Sequence, residues 1–206
     1  MIIKAKHHFL LDPFFRFYVI WKMKRMFHSV EFIGELEEKG KPVLLIGNHV
    51  SWWDGIWALH LNQQFFHRKY YFMMLEEQLR ENWFFQFTGG FSIQKKSKSI
   101  LETFDYTAEL LADPKNLVLL FPTGKIQSIH KNEFAFDKGV EKILQKVKNE
   151  IQVIFMVNLV DYFSNAKPCV CTFFEEYAGN CTTSEMQDGF NEFYQKCVNT
   201  QKQKES

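Results

Sequence analysis

The sequence predicts an α/β fold with a mixed, largely parallel sheet flanked by helices. Short apolar runs of strand length, such as "PVLLIG" at residues 42–47 and "NLVLLF" at 116–121, alternate with longer segments of helical periodicity. The runs read as strands buried on both faces, which places them in one sheet with helices packed over it. A chain of 206 residues also suits one domain with a sizeable core and is short for two enzymatic ones.

The elements follow in order. Residues 13–27, "PFFRFYVIWKMKRMF", begin with Pro where a first helical turn accepts it. Apolar side chains go most of the way round this helix and alternate with Arg16, Lys22, Lys24 and Arg25. Long basic side chains can snorkel while Phe and Trp enter a headgroup region, so residues 1–28 are expected to form a membrane-interface helix; docking on the protein's own core is the alternative. Residues 29–206 are expected to form a single domain.

Within that domain, strands are expected at 29–33 and 42–47, a helix at 53–62, a strand at 69–74 and a helix at 76–87. Residues 89–94, "GGFSIQ", read as a turn and strand, 97–111 as a helix, and 116–121 as a strand running into a Pro-Thr-Gly turn. A helix at 138–148, strands at 152–160 and 169–174, and a polar C-terminal helix complete the chain. In such sheets ligands gather at the carboxyl ends of the strands, where His49, Lys95 and Lys125 emerge.

Composition narrows the function. The 25 basic and 24 acidic side chains nearly cancel, so no global positive field exists to hold nucleic acid. Aromatic residues make up 17% of the chain, 23 of them Phe, although the mean hydropathy is slightly negative. That excess points to an apolar ligand or bilayer, or else to an aromatic-rich core. Cys169, Cys171, Cys181 and Cys197 lack the paired spacing of a zinc site, and packing in a reducing cytoplasm accounts for them. Neither a secretory signal nor a membrane-spanning segment is read in the sequence.

The stretch "LLIGNHVSWWDG" carries the candidate chemistry, with His49 and Asp54 five positions apart. On one continuous helix that separation would place the two side chains about 140° apart, so a turn must fold between them. With His49 in the turn after a strand and Asp54 in the first turns of the next helix, the carboxylate reaches one imidazole nitrogen. The other nitrogen is then left to take a proton from an attacking hydroxyl. His7 and Asp12 match the same spacing but have no strand before them. About a quarter of one such match is expected by chance in this composition, so context decides between them.

"NHVSWWD" resembles the N-H-x4-D first motif of the glycerolipid acyltransferase family, which includes the lysophosphatidate acyltransferases. The second motif of that family is similar to "GFSIQK", with Lys95 where Arg is usual. Its third, usually F-P-E-G-T-R, resembles "FPTGKIQ", with Thr123, Lys125 and Ile126 in place of Glu, Thr and Arg. The fourth is matched loosely by "VIFMVNLV" at 153–160, which lacks the usual Pro.

The resemblance spans about residues 47–160 and implies transfer of a fatty acyl group from acyl-CoA or acyl carrier protein to a lipid acceptor. No other cofactor and no metal is implied. It makes His49 the general base and Asp54 its orienter, with Asn48, Lys95, Phe121, Pro122, Thr123, Gly124 and Lys125 as substrate-binding candidates. The implied location is peripheral or monotopic, on the cytoplasmic face of a membrane. Three readings stay open: a lipid hydroxyl or amine other than lysophosphatidate as acceptor, the conventional 1-acyl-glycerol-3-phosphate acceptor, or a non-catalytic lipid-binding relative. A hydrolase is disfavoured because no G-x-S-x-G elbow occurs.

Overall fold

The apolar runs line up as a seven-stranded sheet in the order β1-β7-β6-β2-β5-β3-β4. A computed structural model describes residues 1–94 and 98–205. The strands are β1 (Ser29–Ile33), β2 (Val43–Gly47), β3 (Lys69–Leu75), β4 (Gly90–Ile93), β5 (Asn116–Leu120), β6 (Gln152–Asp161) and β7 (Cys169–Glu176). Every neighbouring pair is parallel except β6 with β7, so β1 and β7 run against the other five.

The helices are α1 (Leu11–Met26), α2 (Asp54–Leu61), α3 (Glu76–Glu81), α4 (Ile100–Leu110), α5 (Gly139–Leu144) and α6 (Thr183–Lys202). Central β2 is buried along its whole length. Strand pleating then sends its side chains to opposite faces. Leu44 and Ile46 join a cluster with Phe104 of α4, Val140 and Ile143 of α5 and Phe190 of α6. Val43 and Leu45 join the opposite cluster with Val19 and Met23 of α1 and Ile56 and Trp57 of α2.

Helix α1 reaches this core by a narrow stripe. Val19 and Met23 are buried in it, continued past its end by buried Phe27, whose ring meets Trp57 edge-on at 5.4 Å. Phe14, Phe17, Tyr18 and Trp21 stay exposed. No described helix is long and apolar enough to cross a membrane. Ahead of α1, the backbone of residues 3–8 lies along the edge strand β4 and the turn before it, with Ser92 N donating to Ile3 O (2.9 Å), Lys6 N to Gln86 O (2.7 Å) and His8 N to Phe87 O (3.1 Å). This covers a sheet edge that would otherwise present unpaired backbone groups.

Three predicted helices are shorter than their periodicity suggested. The segment expected as a helix over 76–87 stops at Glu81, and Trp83–Phe87 winds as a tighter 3-10 turn. In that turn Phe85 is inside while Trp83 and Phe84 remain exposed. Helix α5 ends at Leu144, where Lys146 N and Val147 N bond carbonyls only three residues back. The described part of the helix expected over 97–111 runs from Ile100 to Leu110.

Candidate active site

At the carboxyl edge of the sheet, Ile46 of β2 lies beside Leu120 of β5, and Gly47 beside Met156 of β6. The segments leaving these strands therefore start side by side. β2 delivers Asn48 and His49, β5 delivers Phe121 and the turn after it, and β6 runs on past its neighbour.

Asp54 opens α2 and folds back over the preceding turn. Its Oδ2 accepts from Val50 N (2.7 Å) and Ser51 N (2.8 Å) and lies 2.9 Å from His49 Nδ1. Its Oδ1 accepts from Asn158 Nδ2 at 3.2 Å. The Asp54 side chain is 0% exposed and that of His49 21%. With the carboxylate accepting at Nδ1, that nitrogen carries the proton and Nε2 is the basic one. Tyr70 of β3 braces the start of α2 by donating from its hydroxyl to Gly55 O at 2.8 Å. Burial pushes the Tyr70 phenol far above its ordinary value, so it serves as a neutral donor.

Phe121 lies flat against His49, with ring centroids 4.0 Å apart and planes 7° from parallel. Gly47 makes room for it: a Cβ there would stand 3.2 Å from the Phe121 ring and 3.0 Å from the Met156 methyl. Gly47→Ala is thus expected to tilt Phe121 off His49 and lower activity by roughly tenfold while Tm falls little. Paired rate and thermal-melt measurements check this, since misplacement of a reacting group costs rate more than stability.

The turn after Phe121 is tied to the same place. Gly124 takes φ +61°, the left-handed conformation Gly tolerates, and its N–H donates to Phe121 O at 2.9 Å. Buried Pro122 accepts from Asp137 N through its carbonyl, and Gln127 N donates to His49 O at 2.7 Å. Thr123 is buried and its hydroxyl donates to Lys125 O at 3.2 Å, whereas Lys125 is exposed. The structure thus gathers Asn48, His49, Asp54, Phe121, Pro122, Thr123 and Gly124 at one end of the sheet. Of the two remaining candidates, Lys125 follows in the same turn with an exposed side chain, and Lys95 lies outside the described residues.

A family model described as Acyltransferase matches residues 29–157. The chain belongs to that family. A search of curated proteins returned no match. In this acyltransferase the matched region runs from β1 to the sixth residue of β6, so it takes in the whole turn between His49 and Asp54 and the loop after β5.

Three groups around the candidate site of this acyltransferase escaped the sequence reading. Asn158 and Thr172 are fully or almost fully buried, and Thr172 Oγ1 donates to Asn158 Oδ1 at 2.8 Å. Gly47 is the third. A polar residue inside the apolar runs "VIFMVNLV" and "CVCTFF" is a signal in itself, because buried polar groups require partners.

The structure also forms the second H-x4-D pair, with His7 Nδ1 2.7 Å from Asp12 Oδ2. There Arg16 donates to Asp12 from Nε (2.6 Å) and from a terminal nitrogen (3.1 Å), and His7 Nε2 is buried without a hydrogen-bond partner among the described residues. Burial pushes the Asp12 carboxyl up, but hydrogen bonds from His7 and Arg16 outweigh it and hold the group below its ordinary value. A base needs a reachable nitrogen, and this pair lacks one. Among the described residues no group of three or more His, Cys, Asp or Glu is placed to hold a metal ion.

Proposed function

We propose that this acyltransferase moves a fatty acyl group from an acyl thioester, acyl-CoA or acyl carrier protein, to a lipid hydroxyl or amine at the cytoplasmic face of a membrane. The observation that carries the reading is the pairing of a part-exposed His49 with an Asp54 that is wholly buried and held by donors on both oxygens. His49 Nε2 takes the acceptor's proton as the acceptor oxygen or nitrogen attacks the thioester carbonyl carbon. Asp54 stabilises the imidazolium that forms. The tetrahedral intermediate then collapses with cleavage of the C–S bond, and the imidazolium returns the proton to the departing thiolate.

Asn48 fixes the turn, and Phe121, stacked on His49, limits the planes the ring can adopt. Gly124 lets the backbone approach the ligand, with Pro122 and Thr123 shaping the same turn. Lys95 and Lys125 are the candidate cations for thioester or acceptor phosphates. The experiment is acceptor-dependent thiol release from labelled acyl-CoA and acyl carrier protein, screened against a lipid extract. Release at the same rate without lipid would make the protein a thioesterase, and no release from either donor would make it a lipid-binding relative.

The acceptor is a membrane-embedded lipid alcohol or amine other than lysophosphatidate. In this turn Thr123 stands in the usual place of Glu and is itself bonded to Lys125 O, while exposed Ile126 occupies the usual place of Arg. A lysine also lacks the bidentate fork that arginine offers a phosphate. With lysophosphatidate the expected catalytic efficiency falls well below about 10⁴ M⁻¹s⁻¹, the lower end of the ordinary enzyme range. A value at or above it, with a large loss in Lys125→Ala, would restore the conventional acceptor.

The membrane contact rests on α1 and its surroundings. Phe14, Phe17 and Trp21 are exposed beside exposed Lys22, Lys24 and Arg25, and the Arg25 guanidinium lies 4.6 Å over the Trp21 ring. Aromatic and basic side chains sharing one helix suit an anionic lipid surface. Trp52 in the turn between His49 and Asp54 is 55% exposed and is joined to this region through Phe85 and Phe15, with ring centroids 6.3 and 5.5 Å apart. That continuity supports a bilayer meeting the protein near the acceptor's point of entry.

A further inference from the structure

We infer that Asn158 and Thr172 are positioning residues for the His49–Asp54 pair, holding the carboxylate through a chain of hydrogen bonds that crosses two strands. The inference rests on the acyl-transfer reading above and adds two residues to its machinery.

β2 ends at Gly47 while β6 continues, which would leave β6 with an unpaired edge. Asn48 supplies what the missing strand would have supplied. Its backbone N–H donates to Met156 O at 3.3 Å, its Nδ2 donates to Asn158 O at 3.0 Å, and its Oδ1 accepts from Asn158 N at 2.8 Å. The side-chain amide stands in for a strand residue and locks the backbone at position 158 to the start of the catalytic turn.

The side chain of Asn158 is left to do one thing. Asn158 is paired with Thr172 in the antiparallel register of β6 and β7, and Thr172 Oγ1 donates to Asn158 Oδ1 at 2.8 Å. The amide oxygen being held there, Nδ2 faces Asp54 Oδ1, at 3.2 Å. The opposite orientation would set an amide oxygen against a carboxylate oxygen. Asp54, which can only accept, thus fixes which end of the Asn158 amide meets it, and Thr172 satisfies and anchors the other end.

The two oxygens of Asp54 are held differently. Oδ2 is gripped by the turn itself, through Val50 N and Ser51 N, and also faces His49 Nδ1. Oδ1 has Asn158 as its donor among the described residues, and Asp54 is completely buried, so loss of that donor strands a buried acceptor. The carboxylate then swings about Oδ2 to find another donor, and the lone pair aimed at Nδ1 moves with it. His49 keeps its place against Phe121 but loses a fixed tautomer.

The test compares Asn158→Ala, Thr172→Val and Thr172→Ser with the wild type. Expected are a kcat loss of about ten- to hundredfold for Asn158→Ala, the range for removing a group that orients a reacting one. Thr172→Val is expected to lose less, Thr172→Ser to restore most of it, and KM for both substrates to change little. In an Asp54→Asn background Asn158→Ala should cost little more, because a residue acting through Asp54 has nothing left to act on. Equal losses in both backgrounds, or a KM effect with kcat unchanged, would overturn the inference.

A readout independent of the acceptor is the ¹⁵N chemical shifts of the His49 ring. Wild type should show one tautomer protonated at Nδ1, and Thr172→Val or Asn158→Ala a mixture. An unchanged tautomer in a folded Asn158→Ala protein would also overturn the inference. A mixed tautomer in a protein that acylates no lipid would instead uphold the hydrogen-bond chain and remove the acceptor reading.

Discussion

Replacing His49 with Ala is expected to lower acceptor-dependent acyl transfer by about a hundredfold or more, the ordinary cost of losing a general base. A hundredfold corresponds to about 2.7 kcal/mol of barrier. Asp54→Asn is expected to lower transfer severely too, though no further than loss of His49, because Asp54 acts through that ring. An amide at that position brings an NH₂ group among donors from Val50, Ser51 and Asn158, so it cannot satisfy them all and still accept from Nδ1. The imidazole is then left in the wrong tautomer. The measurement is the initial rate of thiol release with and without lipid acceptor. Wild-type turnover in pure His49→Ala protein would take His49 out of the mechanism.

His7→Ala and Asp12→Asn are the matched controls, because they break a pair of the same spacing whose Nε2 is buried. Activity should stay close to wild type. Stability should not. A carboxyl held below its ordinary value contributes stability that is present above that ordinary value and is lost as pH falls through the lowered one. The Tm gap between wild type and Asp12→Asn should therefore be open at neutral pH and close in acid.

The triple variant Phe14→Ser, Phe17→Ser, Trp21→Ser is expected to weaken vesicle binding by about a hundredfold. If each ring contributes about 1 kcal/mol of its full burial value of roughly 1.5–3, the three together account for about two orders of magnitude. All three are exposed, whereas Val19 and Met23 carry the contact of α1 with the core, so the variant should fold. Binding should also be stronger to vesicles containing anionic lipid and fall with salt, through Lys22, Lys24 and Arg25. Undiminished sedimentation of the folded variant with anionic vesicles would remove α1 as the anchor. Deleting residues 1–27 is a harsher test: Met23 and Phe27 leave the core with it and uncover Trp57, so aggregation without lipid must be measured beside it.

Most of the fold was legible because its signals are local. "VLLIG" reads as a covered strand from five residues alone, and the pattern from 100 to 111 reads as a helix with one apolar face. The break after Glu81 was not legible, because "WFFQF" offers apolar residues to either winding. The chain leaves the helix at Asn82 (φ −115°, ψ 55°), whose side-chain Nδ2 donates to Gln78 O at 3.0 Å.

The candidate site divides in the same way. By itself the sequence determined that His49 and Asp54 would straddle a strand-to-helix turn, since five residues of spacing, a strand before and a helix after are all local facts. It also supplied the false partner at His7 and Asp12, whose spacing closes the same short hydrogen bond. Only the tertiary structure separated the two pairs. Arg16 and an inward-facing Nε2 occupy one, while Phe121, Asn158 and Thr172 support the other. Asn158 lies 104 residues from Asp54 and 110 from Asn48. No periodicity reports such a contact, because it exists only once β6 has paired with β2 on one side and with β7 on the other.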